Sequence, residues 1–80
     1  MNYVYVLKSL KNNKRYVGHT VLLPEERLKQ HNNGSNIWSK GNRPFELIYY
    51  EDYPEKAQAI KREMFLKSGS GRLFLDKILK

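Results

Sequence analysis

NYVYVLKSLKNNKRYVGHT, residues 2–20, is the stretch that decides the fold. Tyr3–Leu7 alternates aromatic and β-branched residues, which is typical of a β-strand, and Arg15–Gly18 resumes a strand-like pattern after a polar bend. Lys11–Lys14 contains two asparagines, which tolerate positive φ and suit a tight turn. The stretch therefore predicts two antiparallel strands joined by a short hairpin turn.

Two registers of this hairpin are compatible with the sequence. A turn at Asn12–Asn13 places Tyr5 opposite Thr20, whereas a turn one residue earlier places Tyr5 opposite Gly18. In both registers Tyr5 and Tyr16 lie on one face, because side chains alternate along a strand. The two tyrosines are therefore either packed sheet residues, as strand aromatics usually are, or neighbouring reactive groups.

The composition fits one small basic domain over residues 1–80. The chain has 15 Lys and Arg against 8 Asp and Glu, a net charge of +7, and no cysteine. Such a charge concentrates polyanions, so nucleic acid is the partner it favours, with solubility or an acidic protein as alternatives. The missing cysteines exclude disulfides and thiolate metal sites. The apolar runs are too short for a transmembrane segment and no signal segment is recognised, so we expect a cytoplasmic protein without membrane contact.

The next two elements follow from helix and strand signals. Pro24 and the two glutamates after it predict a helix that ends near Asn32, because Asn33–Gly34 is a strong helix stop. A polar, basic loop follows over residues 33–44. Phe45–Tyr50 then predicts a third strand.

Two further helices complete the chain. Pro54 begins the first of them, with an apolar stripe on one side predicted at Ala57, Ile60 and Met64. Ser70 is expected to cap the second, a short helix that packs five apolar residues on the body: Leu73, Phe74, Leu75, Ile78 and Leu79. The order β-β-α-β-α-α predicts an α+β domain in which helices flank a three-stranded antiparallel sheet.

Three charged side chains are candidates for phosphate chemistry. Arg27 and His31 share one helix face because they are four residues apart. An arginine fork fits phosphate oxygens and a histidine moves protons near neutral pH, although a polar helix face in solvent is the alternative. Glu63 is a possible ligand for Mg²⁺, which accepts one carboxylate and keeps most of its waters; a surface ion pair with Lys67 is the alternative.

Taken in their order along the chain, the tyrosine motifs, Arg27, His31 and Glu63 resemble those of the GIY-YIG nuclease domain, and the resemblance covers nearly the whole chain. Tyr3–Tyr5 stands where that family has Gly-Ile-Tyr, and Tyr16–Gly18 stands where it has Tyr-Ile-Gly. Arg27–His31 matches the family's helix motif, and Glu63 matches its metal-binding glutamate. The chain specifically resembles short stand-alone members, which are similar to the N-terminal nuclease domain of the bacterial excision-repair incision subunit. Tyr3 replaces the family's first glycine, and no asparagine follows Asn42 to match a late asparagine found in some members.

The resemblance implies a metal-dependent DNA endonuclease with a place in DNA repair or recombination. Glu63 would hold one Mg²⁺ or Mn²⁺, and Arg27 would neutralise charge on the phosphate in the transition state. Tyr5 would act as the base together with His31, and Tyr16 would position the attacking water. The reverse assignment of the two tyrosines stays open. These five catalytic side chains are expected to line one cleft.

Substrate contacts are expected from four further residues: Gly18, Thr20, Lys40 and Arg43. Gly18 lacks a Cβ and so admits a close backbone, although a glycine that only ends a strand is the alternative. Selectivity would come from the Asn33–Arg43 loop or from a protein partner, and the sequence leaves the oligomeric state open. A catalytically weak nucleic-acid-binding module of the same fold and a protein-interaction domain are the alternative functions.

Overall fold

The computed structural model describes residues 1–34 and 41–79. Within them the strands are β1 (Asn2–Ser9), β2 (Arg15–Thr20) and β3 (Phe45–Tyr53), and the helices are α1 (Pro24–Asn32), α2 (Lys56–Lys67) and α3 (Gly69–Ile78). The predicted order β-β-α-β-α-α and the α+β class are confirmed. Over the described ranges, no helix has the length and apolar character that a membrane span needs.

The three strands form one antiparallel sheet in the order β2-β1-β3. Tyr5 pairs with Gly18, and Leu7 pairs with Tyr16, so the hairpin has the earlier of the two predicted registers. Asn13 takes the positive φ of 63° in the turn, as its residue type favours. This register fixes Tyr5 and Tyr16 as diagonal neighbours on one face.

Helices cover both faces of the sheet, which we call the α1 face and the α2/α3 face. On the α1 face, Leu28 of α1 packs against a buried group of strand residues: Tyr5, Leu7 and Phe45. On the α2/α3 face, the buried apolar core combines strand valines with helix residues: Val4, Val6, Val17, Ala59, Leu66 and Leu75. Because side chains alternate along each strand, the two clusters use different residues of the same strands.

The apolar stripe predicted on α2 is not the side that the helix buries. The helix buries Ala59 and Leu66, whereas Met64 is 69% exposed, Ile60 is 36% exposed and Ala57 is exposed. The small Ala59 lets the helix approach the valines of the sheet closely. The face chosen also brings Arg62 and Glu63 within reach of partners on the strands.

The cap of α3 lies two residues before the predicted one. Ser68, not Ser70, accepts a hydrogen bond at its Oγ from the Gly71 backbone N–H at 3.2 Å. A Cβ on Gly71 would overlap the backbone of Phe65, so this glycine allows α3 to turn tightly against the end of α2. Of the apolar residues predicted to pack, Leu75 is buried and Phe74 and Leu79 are partly buried, while Leu73 and Ile78 are exposed.

Candidate active site

Four of the five predicted catalytic side chains converge on the α1 face. The Tyr5 hydroxyl lies 3.0 Å from His31 Nε2, and Arg27 Nε donates a hydrogen bond to that hydroxyl at 3.3 Å. The ring centroid of Tyr16 lies 4.8 Å from that of His31 and 6.2 Å from that of Tyr5. Residues up to 26 positions apart in the chain therefore form one contiguous group.

Two local features bring α1 over the tyrosines. Arg27 and His31 are one helical turn apart, so both side chains project from the side of α1 that also packs Leu28 on the sheet. At the end of the helix, Asn32 Nδ2 donates to the Phe45 carbonyl at 3.2 Å, and Phe45 N–H donates to Asn32 Oδ1 at 2.7 Å. This pair of bonds fixes the end of α1 to the start of β3.

Gly18 provides the space that Tyr5 occupies. A Cβ built on Gly18 would lie 2.5 Å from the Tyr5 hydroxyl oxygen and 3.0 Å from Cε1 of Tyr16. Real Cβ atoms do not come this close, so a side chain at this position would displace the phenol. The missing side chain therefore seats the tyrosine pair, and the contact of Gly18 with substrate stays a prediction.

Burial shifts the titration of the two innermost groups. Tyr5 is 1% exposed and His31 is fully buried. Burial raises the pKa of Tyr5 to about 12, with a further rise from Tyr16 and an opposing effect of Arg27. Burial also lowers the pKa of His31 to about 4, and the charge of Arg27 adds to the effect. Both groups are therefore uncharged at neutral pH.

The Tyr5 hydroxyl and His31 Nε2 share one hydrogen bond, and the tautomer of the imidazole decides which of the two is the donor. The Tyr5 oxygen also accepts a hydrogen bond from Arg27 Nε. The second ring nitrogen of His31, Nδ1, is buried as well. Among the described residues this buried Nδ1 has no hydrogen-bond partner. An unpaired buried polar nitrogen is unfavourable, so the cluster holds a polar group that packing alone does not explain.

Tyr16 differs from Tyr5 because it reaches the surface. It is half-buried and lines an open cavity of about 640 Å³, together with Leu66 and Lys67 at the end of α2. Tyr5 is not among the residues that line this cavity. Of the two tyrosines, Tyr16 is therefore the one that a molecule in the cavity can contact.

Glu63 lies on α2 and contacts a separate set of side chains. Its carboxylate pairs with His19 Nδ1 and with Lys67 Nζ, the latter at 2.8 Å, and the Glu63 side chain is 14% exposed. Burial alone would raise the pKa of Glu63, but the hydrogen bonds from Lys67 and His19 outweigh it and lower the pKa. The ion pair with Lys67, open from the sequence, is present, and the carboxylate is ionised.

The donor set around Glu63 fits a weakly held hard cation. Within residues 1–34 and 41–79, no group of three or more His, Cys, Asp or Glu side chains is placed to bind a metal. An ionised Glu63 is sufficient for Mg²⁺ or Mn²⁺ when waters and substrate phosphates supply the other ligands. His19 stands beside this carboxylate although 44 residues separate the two in the chain, so sequence spacing gave no signal for the pair.

The five predicted catalytic side chains do not line one open cleft. Tyr5 and His31 are buried beneath α1 and do not line an open surface. Glu63 belongs to the helix on the opposite face of the sheet, and it reaches the edge strand β2 through its contact with His19. Lys67 connects the two regions, because it pairs with Glu63 and also lines the cavity beside Tyr16.

The predicted substrate-binding residues make local contacts. Thr20 Oγ1 accepts a hydrogen bond from the Leu22 backbone N–H at 3.0 Å, and Arg43 Nη1 donates to the Asn32 carbonyl at 3.4 Å. Lys40 lies outside the described residues. A role of these residues in substrate binding stays a prediction.

Comparison with known proteins gives a consistent result. The description of the family model that matches residues 1–75 is GIY-YIG catalytic domain. The UPF0213 protein CPE1444 of Clostridium perfringens is 43% identical over 68 residues, which cover 84% of this chain and 71% of that protein. The UPF0213 protein SH2523 of Staphylococcus haemolyticus is 37% identical over 78 residues, with 96% and 93% covered. The solution NMR structure of the UPF0213 protein BH0048 from Bacillus halodurans has a TM-score of 0.56 and 30% identity, covering 98% of this chain and 85% of that one.

Proposed function

Because the chain belongs to the GIY-YIG family, we propose that it is a metal-dependent endonuclease that hydrolyses phosphodiester bonds of DNA. The observation that supports this proposal best is the convergence of Tyr5, Tyr16, Arg27 and His31 into one group joined by hydrogen bonds and ring contacts. The net charge of +7 favours a polyanionic substrate. We place the activity in the cytoplasm, in DNA repair or recombination.

The geometry favours Tyr16 over Tyr5 as the residue that contacts the attacking water. Tyr16 lines the open cavity, whereas Tyr5 is buried and its pKa of about 12 disfavours loss of its proton. The hydroxyl of Tyr5 instead holds His31 Nε2 and Arg27 Nε in fixed positions. We therefore assign Tyr16 to orienting the water and, once its own hydroxyl proton has passed to solvent, to accepting the proton of that water. We assign Tyr5 to positioning its two neighbours.

Arg27 is the candidate for stabilising the charge of the phosphate. Tyr5 holds its Nε, and Gln30 Oε1 accepts a hydrogen bond from its Nη1 at 2.6 Å. These contacts fix the plane of the guanidinium, and we assign Nη2 to a phosphate oxygen. Glu63 would hold Mg²⁺ or Mn²⁺, which supplies Lewis-acid stabilisation of the phosphate when it is bound.

Cleavage of supercoiled plasmid with Mg²⁺, with Mn²⁺ or with EDTA tests the proposal. Wild-type protein should nick the plasmid only with a metal, and Glu63→Gln should reduce the rate by at least about 100-fold. Glu46→Gln is the matched control, because it removes an exposed carboxylate on β3 and should leave the rate unchanged. Equal rates with metal and with EDTA, or a normal rate for Glu63→Gln, would contradict the proposal.

The assignment of the two tyrosines is tested in the same assay. Tyr16→Phe removes the hydroxyl of the tyrosine that lines the cavity, so we expect a loss of about 100-fold or more. Tyr5→Phe should lose less, because it disturbs the positions of groups that remain present. A larger loss for Tyr5→Phe than for Tyr16→Phe would return the role of base to Tyr5.

A catalytically weak DNA-binding module of the same fold is the second candidate. The observation that favours it is the engagement of Glu63 by both His19 and Lys67, which a metal ion would have to displace in part. This candidate predicts salt-sensitive DNA binding without cleavage under any metal condition. It also predicts that Glu63→Gln leaves DNA affinity unchanged.

A further inference from the structure

We propose that the cavity beside Tyr16 is the groove that binds the phosphodiester backbone of DNA, a step that rests on the nuclease function proposed above. We call it the basic groove, and its charged lining comes from the hairpin turn, β2, α2 and α3: Lys14, Arg15, Lys67, Arg72 and Asp76. None of these five residues belongs to the set that the sequence indicated for substrate contact.

The cations of the groove are held in different ways. Arg15 forms an ion pair with Asp76, and Lys67 forms one with Glu63. Lys14 and Arg72 are exposed, and among the described residues neither has a carboxylate within 4 Å of its charged group. The groove therefore presents two unneutralised cations and two further cations whose acidic partners position them.

The chemistry of the lining favours phosphate over the bases. The charged lining of the groove comprises four cationic residues and one carboxylate. Ionised donors make the strongest hydrogen bonds to phosphate. Among the described lining residues, Asn13 is the one with a side-chain amide and Tyr16 is the one aromatic residue. Contacts of this kind position a strand and carry no sequence information. The groove therefore predicts binding that depends on the backbone and not on base sequence.

The position of the groove would bring bound DNA next to Tyr16. The cations come from the hairpin turn, β2, α2 and α3, and Tyr16 on β2 is among the lining residues. A strand that binds Lys14 and Arg72 therefore passes the tyrosine that we assign to water activation. At about 640 Å³ the groove is within the size range of ligand sites in proteins, roughly 300–1,000 Å³.

Two double variants with the same change in net charge test this placement. Lys14→Ala/Arg72→Ala removes the two unpaired cations of the groove, and Lys61→Ala/Lys77→Ala removes two exposed helix cations that do not line it. Binding of a fluorescein-labelled DNA duplex is measured by anisotropy in EDTA, as a function of salt. Circular dichroism checks that each variant is folded.

The groove variant should bind the duplex at least about tenfold more weakly at low salt. The slope of log affinity against log salt should decrease by about 2, because each phosphate contact contributes about 0.9 to that slope. The control variant should stay within about threefold of wild type, with a nearly unchanged slope. The losses should be the same for duplexes of different base sequence.

Equal losses of DNA affinity for the two double variants would overturn the proposal that the groove binds DNA, since binding would then follow the overall charge. That outcome leaves the nuclease function standing if wild-type protein cleaves plasmid with a metal. Conversely, a loss confined to the groove variant supports the groove even if no metal yields cleavage, and it then favours the binding module. A wild-type protein that does not bind DNA in low salt would overturn the groove and the nuclease function together.

Discussion

The two faces of the sheet are built from the same strands but place their polar groups differently. On the α1 face, the interior includes a tyrosine and a histidine whose pKa values are displaced to about 12 and about 4. On the α2/α3 face, the buried interior is aliphatic, and its charged side chains lie at the margin of the core. One face is thus organised around polar contacts and the other around apolar packing.

The polar groups of the α2/α3 face are well paired. Glu51 accepts hydrogen bonds from Tyr49, from Tyr53 at 2.6 Å, and from Nε and Nη2 of Arg62 at 2.9 and 3.1 Å. The guanidinium of Arg62 also lies 4.8 Å from the centre of the Phe65 ring. Burial alone would raise the pKa of Glu51, but the hydrogen bonds from Arg62, Tyr49 and Tyr53 outweigh it and lower that pKa.

The contrast separates a stabilising network from a candidate site. Glu51 is surrounded by donors, so its burial is compensated and needs no function to explain it. His31 is buried, and its Nδ1 has no hydrogen-bond partner among the described residues. Its burial therefore lowers the stability of the fold, and no hydrogen bond at Nδ1 from those residues offsets the loss. We infer that variants of the aliphatic core and of the Glu51 network on the α2/α3 face change stability alone, whereas variants of the buried polar group on the α1 face change stability and cleavage together.

The largest stability effect is expected on the α2/α3 face. Leu75 is 1% exposed in the aliphatic core and does not line the basic groove. Leu75→Ala should lower the free energy of unfolding by about 3 kcal/mol, because it leaves a cavity in a packed core. Urea denaturation measures this loss. Cleavage per folded molecule should equal that of wild type, and a lower value would show that the two faces are functionally coupled.

Much of the fold follows from local signals in the chain. The polar bend between two strand-like runs predicts the hairpin, and Pro24 and Asn33–Gly34 predict both ends of α1, where Gly34 takes a φ of 74°. The spacing of Arg27 and His31 on this helix places both in the site once α1 lies on the sheet. Such features depend on a few neighbouring residues, so they can be predicted from the sequence.

Features that depend on packing between elements could not be predicted. The rotation of α2 about its axis is set by the fit of Ala59 and Leu66 on the valines, and the helix's own apolar residues suggest a different side. The pair of His19 with Glu63 joins residues 44 positions apart, on a strand and a helix that no local pattern relates. The full burial of His31 likewise depends on the packing of the whole α1 face, so the lowered pKa of this histidine could not be predicted from the sequence.

A middle-sized effect is expected from the titration of His31. Its pKa in the folded protein is about 4, below the ordinary value near 6.5, so between these values the unfolded chain binds more protons. The free energy of unfolding should therefore decrease as the pH falls from 6.5 towards 4. The contribution of His31 at pH 5 is a loss of about 2 kcal/mol relative to pH 7. Urea denaturation at a series of pH values measures it.

The two histidines of the chain provide the control for this prediction. His31→Gln should flatten the pH dependence between 6.5 and 4, because the group that takes up the proton is gone. His19→Gln removes an exposed histidine and should keep the decrease. Parallel curves for wild type and His31→Gln would show that the buried imidazole is not the source of the acid sensitivity.

The smallest and most closely matched test compares one tyrosine from each face. The pKa of Tyr5 and of Tyr49 is raised to about 12, in both cases with burial as the largest cause. Tyr5→Phe leaves the buried Nε2 of His31 without its hydrogen-bond partner and should lower the free energy of unfolding by about 1–2 kcal/mol. Tyr49→Phe should lower it by less than about 1 kcal/mol, because Glu51 keeps its bonds from Arg62 and Tyr53.

The same pair also separates stability from function. Since both variants delete a single hydroxyl and create no charge, a difference in cleavage cannot come from a change in the overall field. Cleavage should fall for Tyr5→Phe, whose hydroxyl holds Arg27 and His31, and should be unchanged for Tyr49→Phe. If Tyr49→Phe reduced cleavage as much as Tyr5→Phe, the polar network of the α2/α3 face would have to be counted as part of the site, and the division between the faces would not hold.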